Sequence, residues 1–579
     1  MNNEKIAKIF REIAAFYEMK DVPFKPRAYE RAAEGIEELN QDILDIYKRG
    51  GLEELKKEIP GAGKNLALHL EEFIKTGKLK LYEKLKKKIP VNLEELLAIE
   101  GIGPKTIFSL YKKLKIKDAK DLEASALAGK ISKLPNFGKQ SEDKILKSIE
   151  FSKKNTGRFL LGHALPIVQK IEDRLKKIPG VSKVTTAGSI RRMQETVGDI
   201  DTLVTARHPE KVMEEFVAMP EVIEVIARGP TKTSVRLNLG INADIRVVAS
   251  ESFGAALQYF TGDKNHNIEL RKIAIEKGFK LNEYGLFSAK NEKKLVGKTE
   301  GEIYKKLGME WMPPELRSGS GEIEAAQNKT LPKIIGYKDI KGDLHLHSNY
   351  SDGINSIEEI ALAGKKLGYD YLAISDHVGS LAIANAMDEE KLLKQIIEID
   401  KLNAELKRKK INIKILKSAE TNIKKDGSID LSEKLLSKLD LVIASVHSHF
   451  NLSEEEMTER IIKAIKNPHV NIIGHPTGRI IAKRPAYKIN LEKIIKTAKE
   501  YKVALEINSY FTRLDLSDTD IKKVVELDAK MVINTDSHSS NQLEMIKFGV
   551  AEARRGWAEK KNVLNTWSLQ KMLDWFIRK

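Results

Sequence analysis

Beyond residue 335 the chain repeats one pattern seven times: a short apolar run, one or more polar residues, then a longer amphipathic segment. The runs are 341–347, 371–377, 414–420, 441–447, 471–475, 503–508 and 531–536. Short strands separated by helix-length segments cannot pair as hairpins. They form βα units and hence a parallel sheet, either open or closed into a barrel. Such sheets place their chemistry at the C-terminal ends of the strands, and the polar residues of this region stand there.

Eight of the 12 histidines lie in this region. In Asp343-Leu-His-Leu-His347, His345 and His347 are two apart and share one strand face. Asp352 follows in the next loop, His377 ends Ile374-Ser-Asp-His, and Glu420 ends Lys417-Ser-Ala-Glu. His447 ends Ala444-Ser-Val-His, His475 lies in Ile473-Gly-His-Pro, and Asp536 and His538 close Asn534-Thr-Asp-Ser-His. Six imidazoles and three carboxylates exceed one ion's coordination sphere and suit two or three ions. The chain has no cysteine, which removes disulfides, thiolate ligands and thiol catalysis. A mixed N/O donor set suits Zn²⁺, Mn²⁺ or Fe²⁺ better than Mg²⁺. His449 and His469 read as ordinary core or surface residues. The nine-residue pattern resembles the PHP (polymerase and histidinol phosphatase) domain. The resemblance implies a distorted seven-stranded barrel with a trinuclear phosphoesterase site, and every ligand position is filled.

A second set of acids lies earlier. Ala187-Gly-Ser-Ile-Arg-Arg192 precedes Val197-Gly-Asp-Ile-Asp-Thr-Leu-Val204. Asp199 and Asp201 alternate on an expected strand, so both point to one face. Two carboxylates that close repel unless a divalent cation lies between them. Asp244, in Asn-Ala-Asp-Ile-Arg-Val-Val, supplies a third on a separate strand-like run. Three carboxylates on neighbouring strands suit two Mg²⁺ ions completed by substrate phosphates. The Gly-Ser, Asp-x-Asp, Asp pattern resembles the nucleotidyltransferase fold. The next segment, Phe253-Gly-Ala-Ala-Leu-Gln-Tyr-Phe-Thr-Gly262 with Asn267 and Arg271, is similar to family X DNA polymerases.

That resemblance assigns Asp199, Asp201 and Asp244 to the two metals, with Asp244 activating the primer 3′-hydroxyl. It assigns Ser189, Arg192, the Gly198 backbone and Arg158 to the triphosphate. Tyr259, Phe260 and Gly262 fall in the segment that crowds the sugar 2′ position, Asn267 touches the incoming base, and Arg271 the template minor groove. Asp263 stands where the family commonly has a small hydroxyl residue, and Asn242 where eukaryotic relatives have an arginine.

The first 150 residues read as all-helical, with apolar positions at helical spacing such as Ile6, Ala7, Phe10, Ile13 and Ala14. Two Gly-x-Gly turns each open a helix, Gly61-Ala-Gly63-Lys64 and Gly101-Ile-Gly103-Pro-Lys105. Leu134-Pro-Asn-Phe-Gly-Lys139 looks like a degenerate third copy. Free N–H groups at a helix start can cradle a phosphodiester without reading sequence. The turns resemble the helix-hairpin-helix motif, with Gly61, Gly63, Lys64, Gly101, Gly103 and Lys105 on DNA. Repair members of family X form a Schiff base through a lysine in the helix after the first hairpin. Here His69 takes that place and Lys64 belongs to the turn, so 5′-phosphate binding rather than lyase chemistry is expected.

The 579 residues carry a formal charge of +17, suited to a polyanionic partner. No apolar run approaches the ~18 residues of a membrane span, and the opening Met1-Asn-Asn-Glu-Lys does not read as a signal peptide, so a cytoplasmic protein is expected. The expected organisation is a helical 5′-phosphate-binding domain (1–90), a helix-hairpin-helix domain (91–150), an α+β palm (151–250) and thumb (251–318), a linker (319–334), and the barrel (335–579). The resemblance of the whole chain to prokaryotic family X polymerases with a C-terminal PHP domain implies a monomeric repair enzyme. It would fill short gaps in primed DNA bearing a 5′-phosphate, using dNTPs, and trim 3′ ends as a 3′–5′ exonuclease. Two alternatives remain. One is a small-molecule phosphatase of the histidinol-phosphate kind with a regulatory first half; the other is a non-catalytic DNA tether.

Overall fold

The computed structural model describes residues 3–37, 42–59, 63–97, 99, 102–135, 137–139, 141–143, 145–146, 149, 157–379 and 385–577. The chain forms two compact units, residues 1–156 and, apart from 482–485, residues 157–579.

The first unit is helical. Its first helix, Asn3–Glu18, buries Ile6, Ala7, Phe10, Ile13 and Ala14, the positions that its periodicity selects. They join Leu66, Ala67 and Leu70 of Lys64–Thr76 and Ile107 and Leu110 of Pro104–Leu114 in one apolar cluster. Each fully buried Ile, Leu or Phe contributes about 1.5–3 kcal/mol, so the cluster holds these short helices together.

In the second unit, after the helix Leu161–Lys176, comes a five-stranded sheet: β1 (Val181–Thr186), β2 (Asp199–Ala206), β3 (Val222–Arg228), β4 (Lys232–Leu237) and β5 (Asn242–Val247). Its order is β1-β2-β5-β4-β3, and β2 and β5 run parallel. Helices Phe253–Thr261 and Lys264–Glu276 follow, then a three-stranded antiparallel sheet. Residues 319–334, expected as a linker, contain the helix Glu322–Asn328. Its Ile323 and Ala326 pack with Leu270, Ile303 and Tyr304, and Glu322 meets the buried His266 at 2.8 Å.

Seven parallel strands follow in chain order: β6 (Gly342–Leu346), β7 (Tyr371–Ile374), β8 (Lys414–Asn422), β9 (Leu441–Ser445), β10 (Ile472–Ile473), β11 (Ala504–Asn508) and β12 (Met531–Asn534). A bridge between Leu346 and Ser537 and a 2.8 Å bond from His347 N to Ser537 O bring the first strand to the last. The sheet is therefore a nearly closed barrel, not an open one. Several strands are shorter than their apolar runs. The second is interrupted at Ser375 and Asp376, whose side chains accept from Leu346 N and Ser348 N, and pairing with β8 resumes at His377–Val378. Among the described residues, no helix is long and apolar enough to cross a membrane.

Candidate functional site

The five-stranded sheet brings the three early aspartates together. Asp201 pairs directly with Asp244 across β2 and β5, and Asp199 with Asn242. Alternation then puts all three carboxylates on one face. Burial first, then the charges of Asp199 and Asp244, push the Asp201 carboxyl up to about 6 against the pull of Arg246 and Lys232. Lys232 Nζ lies 2.9 Å from Asp244 Oδ2, so with Arg246 two positive charges stand against three negative ones. The remaining charge fits divalent cations, which prefer sparse carboxylate shells completed by phosphate.

The glycine-serine turn lies against this cluster. Gly188 has φ +63°, a left-handed conformation that glycine adopts without strain, and it lies against the Asp201 carboxylate. Ser189 lies in the short helix Gly188–Arg191, whose start has no side-chain cap. Arg192 Nη1 donates to Thr261 O at 2.5 Å. Arg158 donates to Thr196 Oγ1 at 2.8 Å and Thr196 O at 2.6 Å, which holds it beside Gly198.

Tyr259 and Phe260 meet edge to face at 5.1 Å, and the Arg246 guanidinium stacks 4.7 Å over Phe260. Gly262 ends their helix, where a Cβ would lie 2.9 Å from Asn267 Oδ1. Asn267 donates to Tyr259 O at 2.7 Å and accepts from Gln258 at 2.8 Å. Arg271, one turn further and exposed, donates to Asn267 O at 3.1 Å. Asp263 caps the helix Lys264–Glu276 through His266 N at 2.8 Å, a role that a serine or threonine hydroxyl also fills. Asn242 Oδ1 accepts from Arg236 Nε at 3.2 Å.

In the first unit, Gly63 and Gly103 are the N-caps of Lys64–Thr76 and Pro104–Leu114, and neither helix start has a side-chain cap. Their first N–H groups are thus available to an anion. Gly61 and Gly101 lie outside the described residues. Lys64 is exposed, and Lys105 pairs with Asp21. His69 Nδ1 lies 2.8 Å from the Tyr29 hydroxyl, and burial holds its pKa below the ordinary value. The side chain at the expected lysine position is therefore a half-buried, hydrogen-bonded imidazole.

The barrel gathers all nine of its sequence-selected residues at one rim. His345 and Glu420 sit within β6 and β8, His377 opens the two-residue strand His377–Val378 and pairs with Glu420, and the other six lie just beyond strand ends or in the following loops. Three groups have donor atoms within 4.8 Å of one another: His347, Asp352, His377 and His538; His345, His347 and Asp536; and His377, Glu420 and His447. Glu420 is the hub. Its oxygens lie 3.3 Å from His345 Nε2, 3.7 Å from His347 Nε2, 3.0 Å from His377 Nδ1, 3.2 Å from His447 Nε2 and 3.1 Å from His475 Nε2. Burial alone would raise its pKa, but His345, His447 and His377 outweigh burial and hold it well below the carboxylate range. Burial and the neighbouring His538 and His377 lower His347 to about 4.

The donor set passes a direct test for cations. His345 Nε2, His347 Nδ1, His377 Nδ1, His447 Nδ1 and His475 Nδ1 are buried and have no hydrogen bond of acceptable geometry. Buried polar atoms are rarely left so. His345 Nε2, His347 Nδ1 and His377 Nδ1 face Glu420 or Asp352, lone pairs beside carboxylates that divalent ions satisfy, whereas His447 and His475 turn Nε2 to Glu420. His475 and Asp536 also hold positive φ, 28° and 55°, strain of the kind that collects at functional sites. His449 and His469 stay outside the rim: His449 bonds Ser448 Oγ and His469 pairs with Glu433 at 3.0 Å.

Three residues behind the rim escape a reading of the sequence. Glu506, fully buried on β11, accepts from His345 Nδ1 at 2.7 Å, His475 N at 2.7 Å and Asn534 Nδ2 at 2.9 Å. Asp376 accepts from Ser348, Ser351 and Gln395, and so fixes the loop that carries Asp352. Asp343 accepts from Thr535 Oγ1 at 2.6 Å. The one available signal was an acid inside an otherwise apolar strand run, Val503-Ala-Leu-Glu-Ile507. A carboxylate that orients a ligating imidazole typically governs affinity about 10- to 100-fold. Glu506→Gln should weaken metal retention by that factor, as read by metal analysis after dialysis. Unchanged metal content would exclude the orienting role.

Comparisons with known proteins agree with this geometry. Residues 1–79 match the helix-hairpin-helix domain, 93–150 the SAM-like helix-hairpin-helix tandem, 256–318 the DNA polymerase beta thumb and 343–510 the PHP domain. The DNA polymerase/3′-5′ exonuclease PolX of Bacillus subtilis (strain 168) is 39% identical over 573 residues, 98% of each chain. A probable phosphatase of Thermoanaerobacter sp. (strain X514) is 32% identical over 238 residues, 39% of this chain and 89% of its own. DNA polymerase lambda of Arabidopsis thaliana is 24% identical over 353 residues, 55% of this chain and 62% of its own. The phosphatase likeness spans a minority of the chain, whereas the PolX likeness runs through hairpins, palm, thumb and barrel alike. The chain therefore belongs to the family X DNA polymerases that carry a C-terminal PHP domain.

Proposed function

We propose that this protein fills short DNA gaps by template-directed addition of deoxynucleotides, and that its barrel removes nucleotides from 3′ ends as a 3′–5′ exonuclease. The observation that carries this reading is the pairing of Asp201 with Asp244, with Asp199 on the same face, in a chain whose PolX relative is similar from end to end. A regulatory half would have no need of that carboxylate set.

Asp199, Asp201 and Asp244 would hold two Mg²⁺, and the nine barrel residues two or three Mn²⁺, Zn²⁺ or Fe²⁺ ions. Bound there, the ions would neutralise charge developing on phosphate oxygens. Ser189, Arg192, Arg158 and the Gly198 backbone orient the triphosphate, Tyr259 and Phe260 crowd the sugar, and Asn267 meets the base. Arg246, stacked on Phe260, keeps that ring in place. Asp244 accepts the proton of the primer 3′-hydroxyl. The helix starts at Gly63 and Gly103 grip phosphates, and the first domain takes the 5′-phosphate of the gap without lyase chemistry. The protein acts as a monomer on DNA in the cytoplasm.

The test uses a labelled primer facing a 5′-phosphorylated one-nucleotide gap, with and without dNTP, in Mg²⁺ and in Mn²⁺. Extension with dNTP and shortening without it are expected; neither reaction under any condition would refute the reading. In titrations the gapped substrate should bind more tightly than intact duplex. Affinity should fall by at least about ten-fold between roughly 50 and 200 mM salt, because phosphate contacts release counterions. Equal affinity for gap and duplex would remove the 5′-phosphate role.

A further inference from the structure

The turn from Gly188 to Gly198, which carries Ser189 and Arg192, grows out of the five-stranded sheet but is held from the barrel. Inside it Met193 has φ +51°, a left-handed conformation that a residue with a side chain keeps only where its surroundings enforce it. Local bonds supply part of that constraint. Met193 N donates to Ile190 O at 2.9 Å, and Gln194 N to Ser189 O at 3.0 Å.

The Met193 carbonyl and the Glu195 carboxylate then take partners from the barrel. Arg555 Nη1 donates to Met193 O. The same guanidinium donates through Nε to Asp518 at 2.9 Å and through Nη2 to Glu552, and its side chain is 2% exposed. Arg479 Nη2 donates to Glu195 Oε1 at 2.5 Å and to Leu514 O. Apolar contacts keep these arginines in place. Leu514 and Phe548 of the barrel belong to the core cluster of the five-stranded sheet. Phe511 fills the space at Gly162, where a Cβ would lie 2.3 Å from its ring. From the thumb side, Arg191 pairs with Glu300 at 2.8 Å. The turn is thus gripped from two directions, one of them belonging to the domain that carries the other active site.

We infer that Arg555 and Arg479 are positioning residues of the polymerase reaction: they set the turn that presents Ser189 and Arg192 to the triphosphate of the incoming nucleotide. The inference rests on the proposed role of Ser189 and Arg192. Its physical basis is the shape of the arginine fork. One planar group satisfies Met193, Asp518 and Glu552 together, which a lysine ammonium on a flexible stem cannot reproduce in the same geometry. Without the fork, Met193 is free to leave its left-handed conformation and carry Arg192 with it. Small misplacements of binding groups are costly in rate.

The experiment compares full-length Arg555→Lys and Glu195→Gln with the wild-type chain in three measurements: kcat and KM for single-nucleotide insertion, 3′–5′ degradation without dNTP, and thermal melting. Glu195→Gln is nearly isosteric and lies on the sheet side, so it tests the clamp even where the buried Arg555 tolerates no change. Each variant should raise the dNTP KM about ten-fold, the loss of one charge-assisted hydrogen bond. kcat should move less, and exonuclease activity should stay within about two-fold. A folded Glu195→Gln protein with wild-type dNTP KM would overturn the inference, as would equal loss of both activities with a lowered melting temperature. Arg192→Gln, measured alongside, separates the two levels. If it too leaves the dNTP KM unchanged, the assignment of the turn to the triphosphate fails. If it alone raises KM, only the clamp fails.

Discussion

Asp244→Ala should abolish primer extension, lowering it by at least about 10³-fold, because it removes charge neutralisation at the point where negative charge develops. Asp244 lies opposite Asp201 in the β2–β5 register, so no neighbouring carboxylate can take its place without moving a strand. Asp244→Asn separates charge from shape: it keeps the volume and should be nearly as inactive. The folded protein should not suffer. Asp244 is one of the charges that, after burial, hold the Asp201 carboxyl up at about 6, so its removal relieves repulsion and costs only the half-exposed pair with Lys232. Melting temperature should therefore hold or rise while extension is lost, a combination that an unfolding explanation cannot produce. Extension at near wild-type rate by a folded Asp244→Ala protein would refute the assignment of the polymerase centre.

Glu420→Gln should have an effect of similar size on the other reaction. Its carboxylate lies within 3.7 Å of five imidazoles, and the amide nitrogen of glutamine would face ligand nitrogens with a donor. Degradation of 3′ ends should fall by at least about 10³-fold and retained transition metal should drop, with the His345→Ala/His347→Ala double variant giving the same result. Primer extension should survive in both, because neither touches Arg479, Arg555 or their partners. Metal analysis and the two assays on the same preparations check this. A folded Glu420→Gln protein with unchanged nuclease activity would remove the barrel assignment. Lost extension would show that the metal rim, and not only the interface arginines, supports the polymerase site.

The phosphatase likeness of the barrel explains why the second half alone could suggest a small-molecule enzyme. What argues otherwise is physical continuity. Leu514 and Phe548 are buried in the same apolar cluster as Val197 and Ile200, next to the catalytic-candidate aspartates. The barrel is therefore built into the polymerase half rather than carried on it, and the helix Glu322–Asn328 occupies the stretch expected to be a free linker.

Local periodicity was enough to reveal much of this protein. Alternation in Asp343-Leu-His-Leu-His347 and Asp199-Ile-Asp201 put pairs of candidate ligands on one face, because side-chain direction in a strand depends on nothing beyond its neighbours. Polar residues at the ends of apolar runs marked the rim for the same reason. Three things were decided only by the tertiary structure. Whether the parallel sheet closed depended on the meeting of Leu346 with Ser537, far apart in sequence. The role of Glu506 was hidden because a carboxylate on an apolar strand looks identical whether it faces water or His345. The grip of Arg479 on Glu195 and of Arg555 on Met193 joins residues separated by 284 and 362 positions, and no local pattern encodes such a pair. Backbone periodicity is a short-range property of the chain, whereas closure, orientation of ligands and clamping between domains arise from contacts that exist only once the chain has folded.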